Sequence, residues 1–155
     1  MRFMDAMPIL LEFEGGYVNN PQDPGGETKY GISKRAYPKE DIKDMTLKRA
    51  YEIYKRDYWD PLLIDQLPPR LRFTMFDTAV NSGVKQAVKM LQKTVGTVQD
   101  GVLGPKTLQA AWDMEQSKLA ANFLGNRLQF LASLNAFNVF GRGWARRIAD
   151  CLLII

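Results

Sequence analysis

Apolar residues recur at helical spacing along most of the chain, and residues that cap or break helices bound each run. Met7, Leu10, Leu11 and Phe13 give a first helix its buried face. Asp5 is the expected N-cap, Pro8 falls in the tolerant first turn, and Gly15-Gly16 ends the helix. From Tyr17 to Ile32 the period changes. Turn residues around Pro21, Asp23, Pro24, Gly25 and Gly26 separate two short β-capable runs, which predicts an irregular hairpin or long loop. Ser33 is expected to start a short helix that Pro38 disturbs.

Thr46 caps the next helix, where Leu47, Ala50, Tyr51, Tyr54 and Tyr58 share a side until Asp60-Pro61. The tyrosines read as core. A helix after Pro68-Pro69 carries Leu71, Met75, Phe76, Ala79 and Val80 and ends at Asn81-Ser82-Gly83. Val84, Ala87, Val88 and Leu91 mark another, and the turn from Gln99 to Thr107 opens a further helix at Pro105. Ser117 is the expected cap of a long helix with Leu119, Phe123, Leu124, Leu128 and Leu131 inside. A last helix, placed after Gly141-Arg142-Gly143, holds Trp144, Ile148 and Cys151. The pattern predicts a mainly α fold of the α+β kind, with about seven helices and one small β excursion. One domain over 1–155 is expected, with two lobes joined through the helix around residues 69–82.

Composition narrows the chemistry. The 155 residues contain no histidine and one cysteine, Cys151. Histidine-based metal sites, Ser-His and Cys-His pairs and intrachain disulfides are therefore excluded, and no metal or other cofactor is expected. Acid-base work falls to a carboxyl group, Lys, Tyr or Cys. No apolar run approaches the roughly 20 residues of a membrane span. The start, Met1-Arg2-Phe3-Met4-Asp5-Ala6, lacks the layout of a signal peptide. Charge is uneven: residues 1–77 hold 12 Lys/Arg against 13 Asp/Glu, and residues 78–155 hold 9 against 4. The basic second half suits a polyanionic partner or a solubilising surface. Scattered Lys and Arg without a recognition motif argue against nucleic acid.

The densest polar stretch runs from Glu14 to Thr28. Glu14 ends the first helix, where the dipole and the neighbours Phe13 and Tyr17 disfavour the ionised carboxylate. A carboxyl that keeps its proton suits protonation of a leaving oxygen, and Gly15-Gly16 lets a substrate approach the backbone. Alternatively, Glu14 is a surface residue before a C-cap. Asp23 lies 9 residues on and Thr28 lies 14. A hairpin folded over the helix end would set both across a cleft from Glu14, the arrangement of glycoside hydrolysis. Asp23 is otherwise an Asx-turn residue, and Glu27 is a rival second carboxylate that strand alternation points away from Thr28.

The run Glu14-Gly15-Gly16-Tyr17, Pro21, Asp23-Pro24-Gly25-Gly26-Glu27-Thr28-Lys29-Tyr30-Gly31-Ile32-Ser33 resembles the signature of glycosyl hydrolase family 108 lysozymes. These are N-acetylmuramidases of bacteriophage endolysins and related bacterial proteins. The similarity continues through Phe76-Asp77-Thr78-Ala79-Val80-Asn81-Ser82-Gly83. It extends to Asp100-Gly101-Val102-Leu103-Gly104-Pro105-Lys106-Thr107, which is similar to the peptidoglycan-binding segment that usually follows. The resemblance implies a lysozyme-like fold, with a catalytic segment over 1–82 and a helical peptidoglycan-binding segment over 83–155. It implies Glu14 as the acid, with Asp23 and Thr28 as partners, although the spacing to Thr28 is one residue shorter than in the commonest phage lysozymes.

Candidate substrate contacts are Tyr17, Tyr30, Trp59, Asn81, Trp144 and Arg147. Trp59 and Trp144 adjoin polar or Gly-rich loop sequence and could stack on sugars. Asn81 could bind an N-acetyl group or act as a C-cap residue. Arg142, Arg146 and Arg147 form a basic end that either meets an anionic wall or membrane face or is a solvated helix face. The expected activity is hydrolysis of the β-1,4 bond between N-acetylmuramic acid and N-acetylglucosamine by a monomer, lysing the bacterial wall. Asp23, held between Pro21 and Pro24, favours inversion. A lytic transglycosylase leaving 1,6-anhydro ends and a non-catalytic wall-binding module are the alternatives. The endolysin likeness implies synthesis in a host cytoplasm, release through a holin-type hole and action on the wall in the periplasm.

Overall fold

The computed structural model describes residues 1–22 and 25–155. Two compact units make up the chain, Arg2–Asp57 and Tyr58–Ile155, the latter joined by Met1. Among the described residues there are seven α-helices and one three-stranded sheet near the N-terminus, a mainly α, lysozyme-like architecture.

The first unit opens with α1, Phe3–Glu14, which buries Phe3, Ala6, Met7 and Leu10. Arg2, not Asp5, is its N-cap: the Arg2 N–H donates to Asp5 Oδ2 over 3.1 Å. An acidic side chain in the third helical position satisfies the cap amide from inside the helix. Pro8 consequently sits in the second turn rather than the first, on the exposed side. The sheet order is β1 (Val18–Asn19), β2 (Glu27–Lys29), β3 (Ile32–Ser33), all antiparallel. Its register pairs Val18 with Thr28, Thr28 with Ser33, and Lys29 with Ile32. No helix starts at Ser33. Its hydroxyl and carbonyl instead accept from Ala36 N and Tyr37 N in a turn, the local competition by which serine resists a helix. Helix α2, Leu47–Tyr54, is capped as expected by Thr46, whose hydroxyl accepts from Arg49 N over 3.1 Å. It runs on into one π turn, Lys55–Trp59.

The second unit holds α3 (Arg72–Ser82), α4 (Val84–Val95), α5 (Pro105–Asp113), α6 (Gln116–Ala132) and α7 (Phe137–Ile154). Every residue of α3 from Phe73 to Ala79 is buried. Two boundaries differ from the sequence expectation. Glu115 rather than Ser117 caps α6, its carboxylate accepting from Ser117 N and Lys118 N at 2.9 and 2.7 Å. Helix α7 begins before Gly141 and passes through it, and a Cβ at Gly141 would lie 2.7 Å from the Phe137 ring. That glycine serves close packing rather than a break. Leu128, expected inside, is exposed.

An ionic cluster lies in this unit. Buried Asp77 of α3 accepts from buried Arg127 of α6 over 2.6 Å and from Arg147 of α7 over 2.9 Å. Cys151 is buried beside it, its Sγ 3.6 Å from Asp77 Oδ2.

Candidate active site

Glu14 is the last residue of α1, and Gly15 turns the chain with φ +76°. Its half-buried side chain rests against the tip of the β2–β3 hairpin. That tip is Tyr30-Gly31, a two-residue connection with both residues at positive φ, 52° and 76°. Such primed turns suit the strand twist, at some cost where the first residue is tyrosine. A Cβ on Gly31 would lie 2.8 Å from both Glu14 Cβ and Glu14 Oε2, and 2.5 Å from the Tyr54 hydroxyl. Glycine is therefore required twice over, by the backbone conformation and by the carboxyl beside it. Tyr54, buried on α2, donates to the Tyr30 carbonyl over 2.7 Å and fixes this turn. Neither Gly31 nor Tyr54 stood out in the sequence as a site residue. A Tyr-Gly pair between Lys29 and Ile32 was the readable turn signal.

Of the proposed partners, Thr28 lies in the central strand two residues before the turn, and it is half-buried. Asp23 lies outside the described residues. Glu27 pairs with Asn19 across the sheet, and its carboxylate accepts from the Tyr17 hydroxyl at 3.5 Å. Tyr17 is exposed, whereas Tyr30 is half-buried with Lys29 Nζ 5.5 Å from its ring centre.

The remaining candidates belong to the second unit. Trp59 cannot stack on a sugar: it is wholly buried, edge-on to Phe76, and its indole N–H donates to Asp65 over 3.1 Å. The polar sequence beside it made it a candidate, but the ring itself turns into the core. Trp144 lies within α7, not after a loop, half-buried against Phe137 and Phe140. Arg147 is committed to Asp77 with a side chain only 13% exposed, so the basic end consists of Arg142 and Arg146. Asn81 occupies the last turn of α3 with Gly83 as the C-cap, and its Oδ1 lies 3.4 Å from Arg127 Nη2.

A carboxyl group at a helix end, set against a small antiparallel sheet in a mainly helical chain, is compatible with a lysozyme-like glycoside hydrolase. Residues 7–83 match the glycosyl hydrolase 108 model and residues 86–149 match the predicted peptidoglycan domain. The chain belongs to the glycosyl hydrolase 108 family. It is an enzyme, a glycoside hydrolase of the muramidase kind, and its polymer is peptidoglycan. The solved structure of Brucella abortus SagA is similar, with 39% identity and a TM-score of 0.88 over 97% of this chain and 91% of that one. No protein of curated function matches the sequence significantly.

Proposed function

We propose that the enzyme cleaves the β-1,4 bond between N-acetylmuramic acid and N-acetylglucosamine, with Glu14 as general acid. The observation behind this is the seat of Glu14: a helix-end carboxyl resting on the glycine of a turn that a buried tyrosine clamps. A fixed acid of this kind protonates the glycosidic oxygen as the ring gains oxocarbenium character. Asp23, helped by Thr28, stabilises that charge or activates water. A water between the two carboxyls corresponds to inversion, at about 6.5–9.5 Å separation. The site of action on this reading is the bacterial wall.

The deciding experiment compares wild type with Glu14→Gln on purified sacculi, with the new ends identified by mass. The variant should fold normally, and its rate should fall at least about 100-fold. Reducing N-acetylmuramic ends are expected. Residual activity above a tenth of wild type would remove Glu14 as the acid, and 1,6-anhydro ends would make the enzyme a lytic transglycosylase.

A further inference from the structure

The stretches 84–99 and 116–149 contain no Asp or Glu. Helices α4 and α6, which pack against each other, fall within them. Along their junction runs a trough. At one end, Gln86, Lys89 and Lys93 of α4 face Asn126 and Gln129 of α6 around an open hollow of about 350 Å³ that Gln99, Met90 and Phe130 also line. A second hollow of about 360 Å³ shares Asn126 and Gln129 and continues past Thr94, Asn122 and Gly125. The spacing is helical on both walls: Gln86, Lys89, Lys93 on one and Asn122, Asn126, Gln129 on the other. Asn126 Nδ2 donates to Thr94 Oγ1 over 3.0 Å and ties the walls together. Buried Gln92 holds the Gln99 end, donating to Asp100 Oδ1 and the Val102 carbonyl at 2.7 and 3.0 Å and accepting from Gly101 N.

Primary amides offer a donor and an acceptor side by side, which matches peptide groups, while ammonium groups match carboxylates. A trough lined with amides and two lysines beside apolar Met90 and Phe130, on helices free of carboxylates, therefore fits an extended peptide that carries both apolar side chains and free carboxylates. Peptidoglycan supplies such a peptide on every muramic acid residue. We infer that the α4–α6 trough binds the stem peptide of peptidoglycan and holds the wall independently of the bond being cut. This deepens the peptidoglycan reading and rests on it.

The test uses full-length Glu14→Gln protein, so that the wall survives, on intact sacculi and on sacculi stripped of peptides by an amidase. Binding to intact sacculi should be the tighter. Lys89→Gln with Lys93→Gln should weaken it at least about fivefold, the scale of two solvent-facing ion pairs, and leave binding to stripped glycan unchanged. Gly125→Leu is the second variant. A Cβ at Gly125 meets nothing within 4 Å, so a side chain there starts from open space at the trough's lining, and the change removes a helix-weakening glycine. Binding should fall while the melting temperature holds or rises. Equal binding of intact and stripped sacculi, unchanged binding by either variant, or equal competition by a DNA duplex would overturn the proposal. Wild type that releases no fragments from sacculi would instead sink the peptidoglycan reading itself.

Discussion

The hydroxyl of Tyr54 donates to the carbonyl of Tyr30 over 2.7 Å, and this bond fastens α2 to the turn on which Glu14 rests. Tyr54 thus fixes the turn that seats the acid. Removing the hydroxyl leaves a buried ring that still fills its space, so the fold should survive with a loss of about 0.5–1.5 kcal/mol. The turn, which holds Tyr30 at positive φ, loses its clamp. Tyr54→Phe should lower kcat about tenfold with KM nearly constant. Gly31→Ala should do more, about 100-fold, because its new methyl group meets the carboxyl itself. Steady-state kinetics on sacculi checks both, and a Tyr54→Phe enzyme with unchanged kcat would show that the clamp serves stability alone.

Asp77 is the second junction, shared by two arginines from different helices. Replacing it with Ala leaves Arg127 buried without its carboxylate, a change that costs about 3–5 kcal/mol. Arg142→Gln or Arg146→Gln, both at exposed positions, should stay within about 0.5 kcal/mol. Arg147→Gln should fall between them. Urea unfolding of the four variants gives the order, and an Arg147→Gln protein as stable as Arg142→Gln would return Arg147 to the basic surface.

The helices were legible wherever the apolar period and a cap agreed, as at Thr46 and at Pro105. Boundaries slipped where one residue type serves two ends. Asp5 satisfies a cap amide from inside α1, and Gly141, inside α7, leaves room for a phenyl ring instead of ending the helix. The position of Glu14 was legible because it follows from one helix and the glycines that end it. The turn that seats it was not, since its strands are two and three residues long and its tyrosine takes a conformation that local rules disfavour. Trp59 and Arg147 are held within the second unit for a shared reason. Their fates depend on Asp65 and Asp77, partners that a periodic pattern does not identify.

Cys151 offers a probe of the second unit. Burial, then the Asp77 carboxylate, pushes its thiol up to about 12, so it stays protonated at neutral pH. Iodoacetamide at pH 7.5 should leave the native protein unmodified for hours and alkylate it within minutes once unfolded, because only the thiolate reacts. Mass spectrometry reads the adduct. Rapid labelling of native protein would mean that the α7 contact with Asp77 opens readily.

Acid should loosen the first unit through two carboxylates. Arg56, and after it the Tyr37 hydroxyl, hold the Asp57 carboxyl below its usual range. The Tyr37 bond, 2.9 Å long, joins residues 20 apart in sequence and so is specific to the folded state. Glu40 is lowered by Arg49, whose Nη2 lies 2.6 Å from Oε1. A carboxyl with a folded pKa below its unfolded one stabilises the fold above the unfolded value, near pH 4, and this contribution fades as pH falls through the folded value. The effect on stability should be modest, because both ion pairs are open to solvent. Asp57→Asn should lower the melting temperature at pH 7, and the gap from wild type should close as pH drops from about 5 to 3. Glu40→Gln should behave alike. Calorimetry at four or five pH values would show the convergence, and a gap constant down to pH 3 would mean that Asp57 contributes by packing rather than by charge.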